Sequence, residues 1–172
     1  MIKEMLSKEE LIISLSDTAS HLAEVLNKFN GQNINTVPFL GSWTAAQVAD
    51  HITQSNMSII RALILKGTKI NRDPGEKIPE LKEVFLDFTT KLQSPGFILP
   101  TQETYERTML LALLAHSITK IKETAKQADL SEMIRHPAFG DITKFEILHF
   151  VLYHTQRHIH QLENILREIN KK

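Results

Sequence analysis

Thr143-Lys144-Phe145-Glu146-Ile147-Leu148-His149-Phe150-Val151-Leu152-Tyr153-His154-Thr155-Gln156-Arg157-His158-Ile159-His160-Gln161-Leu162 is the stretch that decides the fold. It opens on a hydroxyl residue three places ahead of a glutamate. In this capping-box pattern the hydroxyl takes an orphan backbone N–H and the carboxylate reaches back. No glycine or proline interrupts the chain from there to Lys172. Advancing about 100° per residue from Ile147, the side chains of Val151, Leu162, Ile165 and Ile169 fall within roughly 60° of one another, flanked by Leu148 and Leu166. The pattern predicts a helix over 143–170 with one buried stripe.

Working outward, glycine and proline divide the rest of the chain, because each weakens or breaks a helix interior. Residues 1–30, 42–66, 101–136 and 141–172 contain neither. Ser7-Lys8-Glu9-Glu10 repeats the capping box, Thr44 is a candidate cap before Ala45-Ala46, and Gly67 is a natural stop. Helices are therefore expected at 7–29, 44–66, 102–128 and 143–170, giving an all-α four-helix bundle with a long crossover between the second and third. The 68–100 connector is too long for a bare loop and must cross the bundle or cover one end. Within it, Pro79 to Phe88 reads as either a short helix or an extended piece.

With 172 residues and 42% hydrophobic content, one domain over 1–172 is expected. Twenty basic residues balance twenty acidic ones, so no broad field favours nucleic acid or an anionic membrane. The lack of cysteine removes disulfides, thiolate metal sites and cysteine nucleophiles, leaving any metal to histidine or carboxylate. The first ten residues lack the apolar run of a signal peptide, and no stretch approaches the roughly 20 apolar residues of a membrane span. The expectation is a cytoplasmic protein with neither nucleic-acid nor membrane partners.

Eight histidines remain to be placed. On the wheel of the last helix His158 lies at roughly 20° and His154 at roughly 340°, within or beside the buried stripe, whereas His149 and His160 lie near 200–220° and are expected to point outward. His154 and His158 are four apart, the spacing that stacks two imidazoles on one face. They read either as a hydrogen-bonded core pair or as two metal ligands, and a hydrophobic seam makes unpartnered imidazoles costly. His51, on the second helix, borders the core within about 40° of Ser55, Ser58 and Ala62. Those small residues either leave room beside a ligand or serve close helix packing. His21 and His116 stand alone, and His136, before Pro137, reads as organising a turn. Glu146-Ile147-Leu148-His149 matches the Glu-x-x-His element of di-iron bundles, but there is no second copy, so a carboxylate site of that kind is not expected.

Three segments carry a resemblance: Trp43-Thr44-Ala45-Ala46-Gln47-Val48-Ala49-Asp50-His51, His136-Pro137-Ala138-Phe139-Gly140, and His149 to Leu162. In their order and spacing the chain resembles the DinB-like bundle proteins, which include thiol-dependent S-transferases. The resemblance implies a four-helix bundle with the crossover after the second helix. It also implies a divalent ion, zinc or nickel, on His51, His154 and His158. Relatives of known activity use a low-molecular-weight thiol such as bacillithiol or mycothiol, others look like metal-dependent hydrolases, and many are dimers. For this chain the resemblance implies a metal-dependent enzyme acting on a small molecule, as a thiol transferase or hydrolase. The competing reading is a non-catalytic bundle with a structural metal that binds a small ligand or partner. Three neutral imidazoles leave a position open for water or substrate, the catalytic arrangement. Gln47, Gln161 and Arg157 are then candidates to face the site, Arg157 as a rim group for an anion, with solvated helix positions as the alternative. Trp43 is expected to anchor the start of the second helix.

Overall fold

The computed structural model describes residues 6–171, so residues 1–5 of the N-terminal reading lie outside it. The elements are α1 (Lys8–Leu26), α2 (Ala45–Ile64), α3 (Ile78–Leu86), α4 (Arg107–Gln127), β1 (Met133–His136), β2 (Gly140–Thr143) and α5 (Lys144–Ile169), with 3-10 turns at Asn33–Asn35 and Gly96–Ile98. α1, α2, α4 and α5 form the four-helix bundle, in which α2 packs on α4 and α5, and α1 packs on α5 and α4. Among the described residues no helix is long and apolar enough to cross a membrane.

The starts of the helices follow from local chemistry. Ser7, Thr44 and Thr143 each close a capping box, with Glu10, Gln47 and Glu146 respectively. α4 begins five residues later than the 102 expected from the glycine- and proline-free stretch. Residues just before it are committed elsewhere: Asp50 Oδ2 accepts from the Thr101 N–H and hydroxyl and from the Tyr105 hydroxyl, at 2.8, 3.0 and 2.7 Å. Glu106 then caps the helix by accepting from the Thr108 and Met109 N–H groups.

The core has two apolar halves. One gathers Leu11, Leu15, Ile59, Leu63, Ile121, Ile147, Leu148 and Val151; the other gathers Leu22, Leu26, Ala45, Val48, Ile52, Leu114, Leu162 and Ile165. Between them α2 contributes Ser55 and Asn56, α4 Ser117, and α5 His154, Thr155 and His158, all buried. Asn56 donates to Ser117 Oγ at 3.0 Å, and Ser117 donates to the Leu114 carbonyl. A belt of polar groups thus crosses the bundle at mid-height.

The connector resolves into α3, which packs along α5. Its Phe85 and Leu86 join the first apolar half. The β1–β2 hairpin is not expected from the sequence. His136 pairs with Gly140 across it, and Gly140 takes φ +64°, a left-handed conformation suited to glycine. Strands of four residues are too short for alternation to be visible. α3 and the hairpin enclose the N-terminal half of α5, where every residue from Lys144 to Thr155 is buried. A single-stripe wheel therefore misplaces His149, which is buried: its Nδ1 donates to the Phe145 carbonyl at 3.0 Å and its ring lies against Phe145.

Gly67 is not the helix stop, since α2 ends at Ile64 with Leu65 as its cap. It sits where Thr68 and Met133 exchange two backbone hydrogen bonds of 2.9 Å. A Cβ there would lie 2.6 Å from Glu132 Cβ and 2.7 Å from the Met133 carbonyl oxygen. Gly67→Ala should destabilise the protein by about 1–3 kcal/mol through this overpacking, read as a fall in urea midpoint at unchanged m-value. An unchanged midpoint would mean that the hairpin shifts away without cost.

Candidate metal centre

α2 and α5 lie side by side, and the polar belt brings His51 onto His154 and His158. The His51 and His154 Nε2 atoms are 3.0 Å apart, as are those of His154 and His158. All three rings are buried, and each offers a ligand nitrogen within 4.8 Å of the others. Among the described residues no other histidine or carboxylate joins this group. His21 pairs with Glu163 at 3.5 Å on the surface, and His116 is exposed. His160, half-buried, stacks on Phe88 at 4.2 Å. The Glu146-x-x-His149 element stays outside this group.

The hydrogen bonds around the cluster determine its protonation. His51 Nδ1 lies 2.8 Å from the Ile98 carbonyl, and His158 Nδ1 lies 2.8 Å from Gln161 Oε1. Both partners only accept, so each Nδ1 carries the proton and donates it, and each Nε2 keeps a bare lone pair. Burial lowers the pKa of His51, partly offset by the Ile98 carbonyl and the Asp50 carboxylate. Burial and the neighbouring His158 and His51 hold His154 well below the usual histidine value. Burial and the positive field of a protonated His51 push His158 down to about 3. At neutral pH all three rings are uncharged.

These lone pairs fit a cation. The Nε2 atoms of His51 and His158 both point at His154, whose Nε2 can carry at most one proton and so satisfy one of them. Two nitrogens on a tetrahedral ion with about 2.0–2.1 Å bonds would be about 3.3 Å apart, close to the 3.0 Å found. Ligands whose distal nitrogen is fixed by a carbonyl or amide are the usual supporting arrangement of a metal-binding histidine.

The three histidines line a cleft of about 970 Å³, walled by Trp43, Phe85, Phe97, Ile98, Phe139 and Phe150 among others. Ser55 and Ser58 line it beside His51, leaving space there. Trp43 packs against the core and also faces the cleft, its ring 5.1 Å from that of His51. Gln161 reaches the site by holding His158. Gln47 does not, because its Oε1 accepts from the Thr44 N–H at 3.0 Å as part of the cap. Arg157 lines the cleft, but its guanidinium donates to the carbonyls of Phe85, Asp87 and Thr90. It clamps the segment after α3 and is not a free rim cation. Sequence reasoning misses the Ile98 carbonyl, which arrives from the connector, and Asp50. Only the acidic residue beside His51 is there to be read; its partners are distant in the chain.

Comparison with known proteins agrees with this architecture. The family model of the DinB superfamily matches residues 14–162. The uncharacterized protein YuaE of Bacillus subtilis (strain 168) is 23% identical over 155 residues, covering 86% of this chain and 94% of its own. The crystal structure of TT2238, a four-helix bundle protein, superposes with a TM-score of 0.59 at 19% identity, covering 92% of this chain and 99% of that one. YfiT from Bacillus subtilis, described as a probable metal-dependent hydrolase with an unusual four-helix bundle topology, gives 0.63 at 19% identity over 99% and 93% of the two chains. Because the family model runs from within α1 to the C-terminal part of α5, the chain belongs to the DinB superfamily.

Proposed function

We propose that the chain is a metal-dependent enzyme in which His51, His154 and His158 hold one divalent ion, zinc or nickel, at the wall of a cleft that binds a small organic substrate. The observation that carries this reading is the convergence of three neutral imidazoles whose facing nitrogens hold more lone pairs than protons to match them. A divalent ion bound there supplies Lewis acidity, drawing the pKa of a water or thiol at its open position toward neutrality. The protein's own groups do the rest. The Ile98 carbonyl and Gln161 orient two of the rings, and Arg157 fastens the segment that closes the cleft. The aromatic walls offer an apolar surface to the body of a substrate.

Two nucleophiles suit this site. The likeness to YfiT supports hydrolysis, with water as the nucleophile. The sequence resemblance supports S-transfer from a low-molecular-weight thiol to an electrophilic carbon. An open position serves both and argues against a purely structural metal, which would complete its tetrahedron with a fourth protein ligand.

Zinc- and nickel-loaded protein should be assayed with 4-nitrophenyl acetate, and with bacillithiol or cysteine plus monochlorobimane. One of these reactions should run above background and fall to the uncatalysed rate after chelation and in H154A/H158A. Turnover that survives chelation and the double substitution would overturn the proposal.

A further inference from the structure

His136 closes β1, and among the described residues its Nε2 is the one buried side-chain nitrogen or oxygen with no hydrogen-bond partner. Leaving a donor or acceptor in that state is costly, so its persistence in a residue of the cleft wall asks for a ligand. The proton position follows from the other nitrogen. The Ala138 N–H donates to His136 Nδ1 at 3.1 Å, so Nδ1 is the bare acceptor and the single proton of the neutral ring sits on Nε2. Burial lowers the His136 pKa and keeps the ring neutral. The unmatched group is therefore an N–H donor.

The position of the ring determines what it can meet. His136 lines the same cleft as the metal cluster but is not part of the cluster. It stacks on Phe139, with centroids 5.0 Å apart, and meets the edge of Phe97 at 6.5 Å. Phe139 touches Phe150 at 4.6 Å, and Phe150 touches His154 at 4.9 Å. Two phenyl rings thus separate the His136 donor from the three histidines, making the wall between the two polar points aromatic.

We propose that His136 is the second polar anchor of the cleft: its Nε2, covered from solvent in this structure, is uncovered by a side-chain shift on binding and donates to an acceptor oxygen of the substrate, whose apolar or aromatic body lies along the phenylalanine wall. This deepens the functional reading above and rests on it for the role of the cleft as a substrate site. The implied substrate class has an apolar middle, an oxygen acceptor at one end, and a metal-seeking or reactive group at the other.

The test uses matched probes on the full chain, both metal-free and zinc-loaded. Acetophenone carries a carbonyl oxygen that ethylbenzene of similar shape lacks. In long-range proton–nitrogen spectra the wild-type His136 should show the Nε2–H tautomer, and acetophenone should shift that nitrogen while ethylbenzene should not. His136→Leu should weaken acetophenone binding about 10-fold, the loss of one hydrogen bond of about 1.4 kcal/mol, and leave ethylbenzene unchanged. His136→Gln, whose amide nitrogen stands near the position of Nε2, should restore most of it. Both variants lose the acceptor for Ala138, so their difference isolates the donor. An Nδ1–H tautomer, an acetophenone that leaves the nitrogen unmoved, or equal loss in both variants would overturn the proposal. The wild-type spectrum decides if a variant fails to fold. The metal-free measurement keeps this outcome separate from failure of the metal site.

Discussion

Protein purified without a histidine tag should carry about one divalent ion per chain, and H154A/H158A should carry none. Elemental analysis normalised to protein concentration makes the comparison. The Ile98 carbonyl and Gln161 fix protons on the outer nitrogens of His51 and His158, so the inner nitrogens converge as lone-pair acceptors with too few donors among them. Removing two of three ligands leaves His51 alone, and a single neutral imidazole does not retain an ion through dialysis. Saturating zinc should also raise the wild-type melting temperature, because an ion that binds only the folded state stabilises it by about 4 kcal/mol at 1,000 times its dissociation constant. The double variant should show no such rise. Gln161→Ala should keep the ion but bind it roughly 10–100-fold more weakly, as expected when the group orienting a ligand is lost. Full metal content in H154A/H158A would place the ion elsewhere and remove the basis for the proposed chemistry.

The parts of this molecule that are legible in the sequence are those set by local rules. Ser7 and Thr143 with their glutamates, Thr44 before two alanines, and the glycine- and proline-free runs locate α1, α2 and α5 to within a few residues. The α5 wheel puts His154 and His158 on the inner face because four-residue spacing is a property of the helix itself. The site as a meeting of α2 with α5 is legible only through family resemblance, since no periodicity says which helices are neighbours. What stays hidden depends on partners distant in the chain. His149 reads as outward until α3 and the hairpin are known to cover that side. Gln47 and Arg157 look like site residues because they flank the histidines in sequence. Gln47 is instead taken up by its own helix cap, and Arg157 by three carbonyls of α3's last turn and the segment beyond it. The unmatched nitrogen of His136 is invisible without coordinates, because satisfaction of a donor is a statement about everything around it.

The largest loss of stability from one substitution outside the three-histidine cluster should come from Glu146→Ala. Glu146 is fully buried at the start of α5 and accepts four hydrogen bonds. Two come from the Arg72 guanidinium at 2.6 and 2.8 Å, one from the Lys77 N–H and one from the Thr143 N–H, each at 2.9 Å. One carboxylate therefore ties the connector, through Arg72 and the first residues leading into α3, to the cap of α5. Removing one partner of a buried ion pair costs about 3–5 kcal/mol. The lower end applies here because Arg72 is partly exposed and can turn to water. At about 3 kcal/mol, for a chain of this size, that corresponds to a melting temperature lower by roughly 6–12 °C. The effect should depend on pH in a definite direction. Burial raises the Glu146 pKa, but Arg72 and the two N–H groups outweigh it and hold the carboxyl below its ordinary 4.5. The unfolded chain consequently takes up this proton first, so the contribution is complete above about pH 4.5 and is lost as pH falls through the lower, folded value. The stability gap between wild type and Glu146→Ala, measured by urea unfolding, should be constant from about pH 8 to 5 and shrink below that. A gap under about 1 kcal/mol at neutral pH, or one that does not narrow in acid, would show that Glu146 is not the tie between connector and bundle.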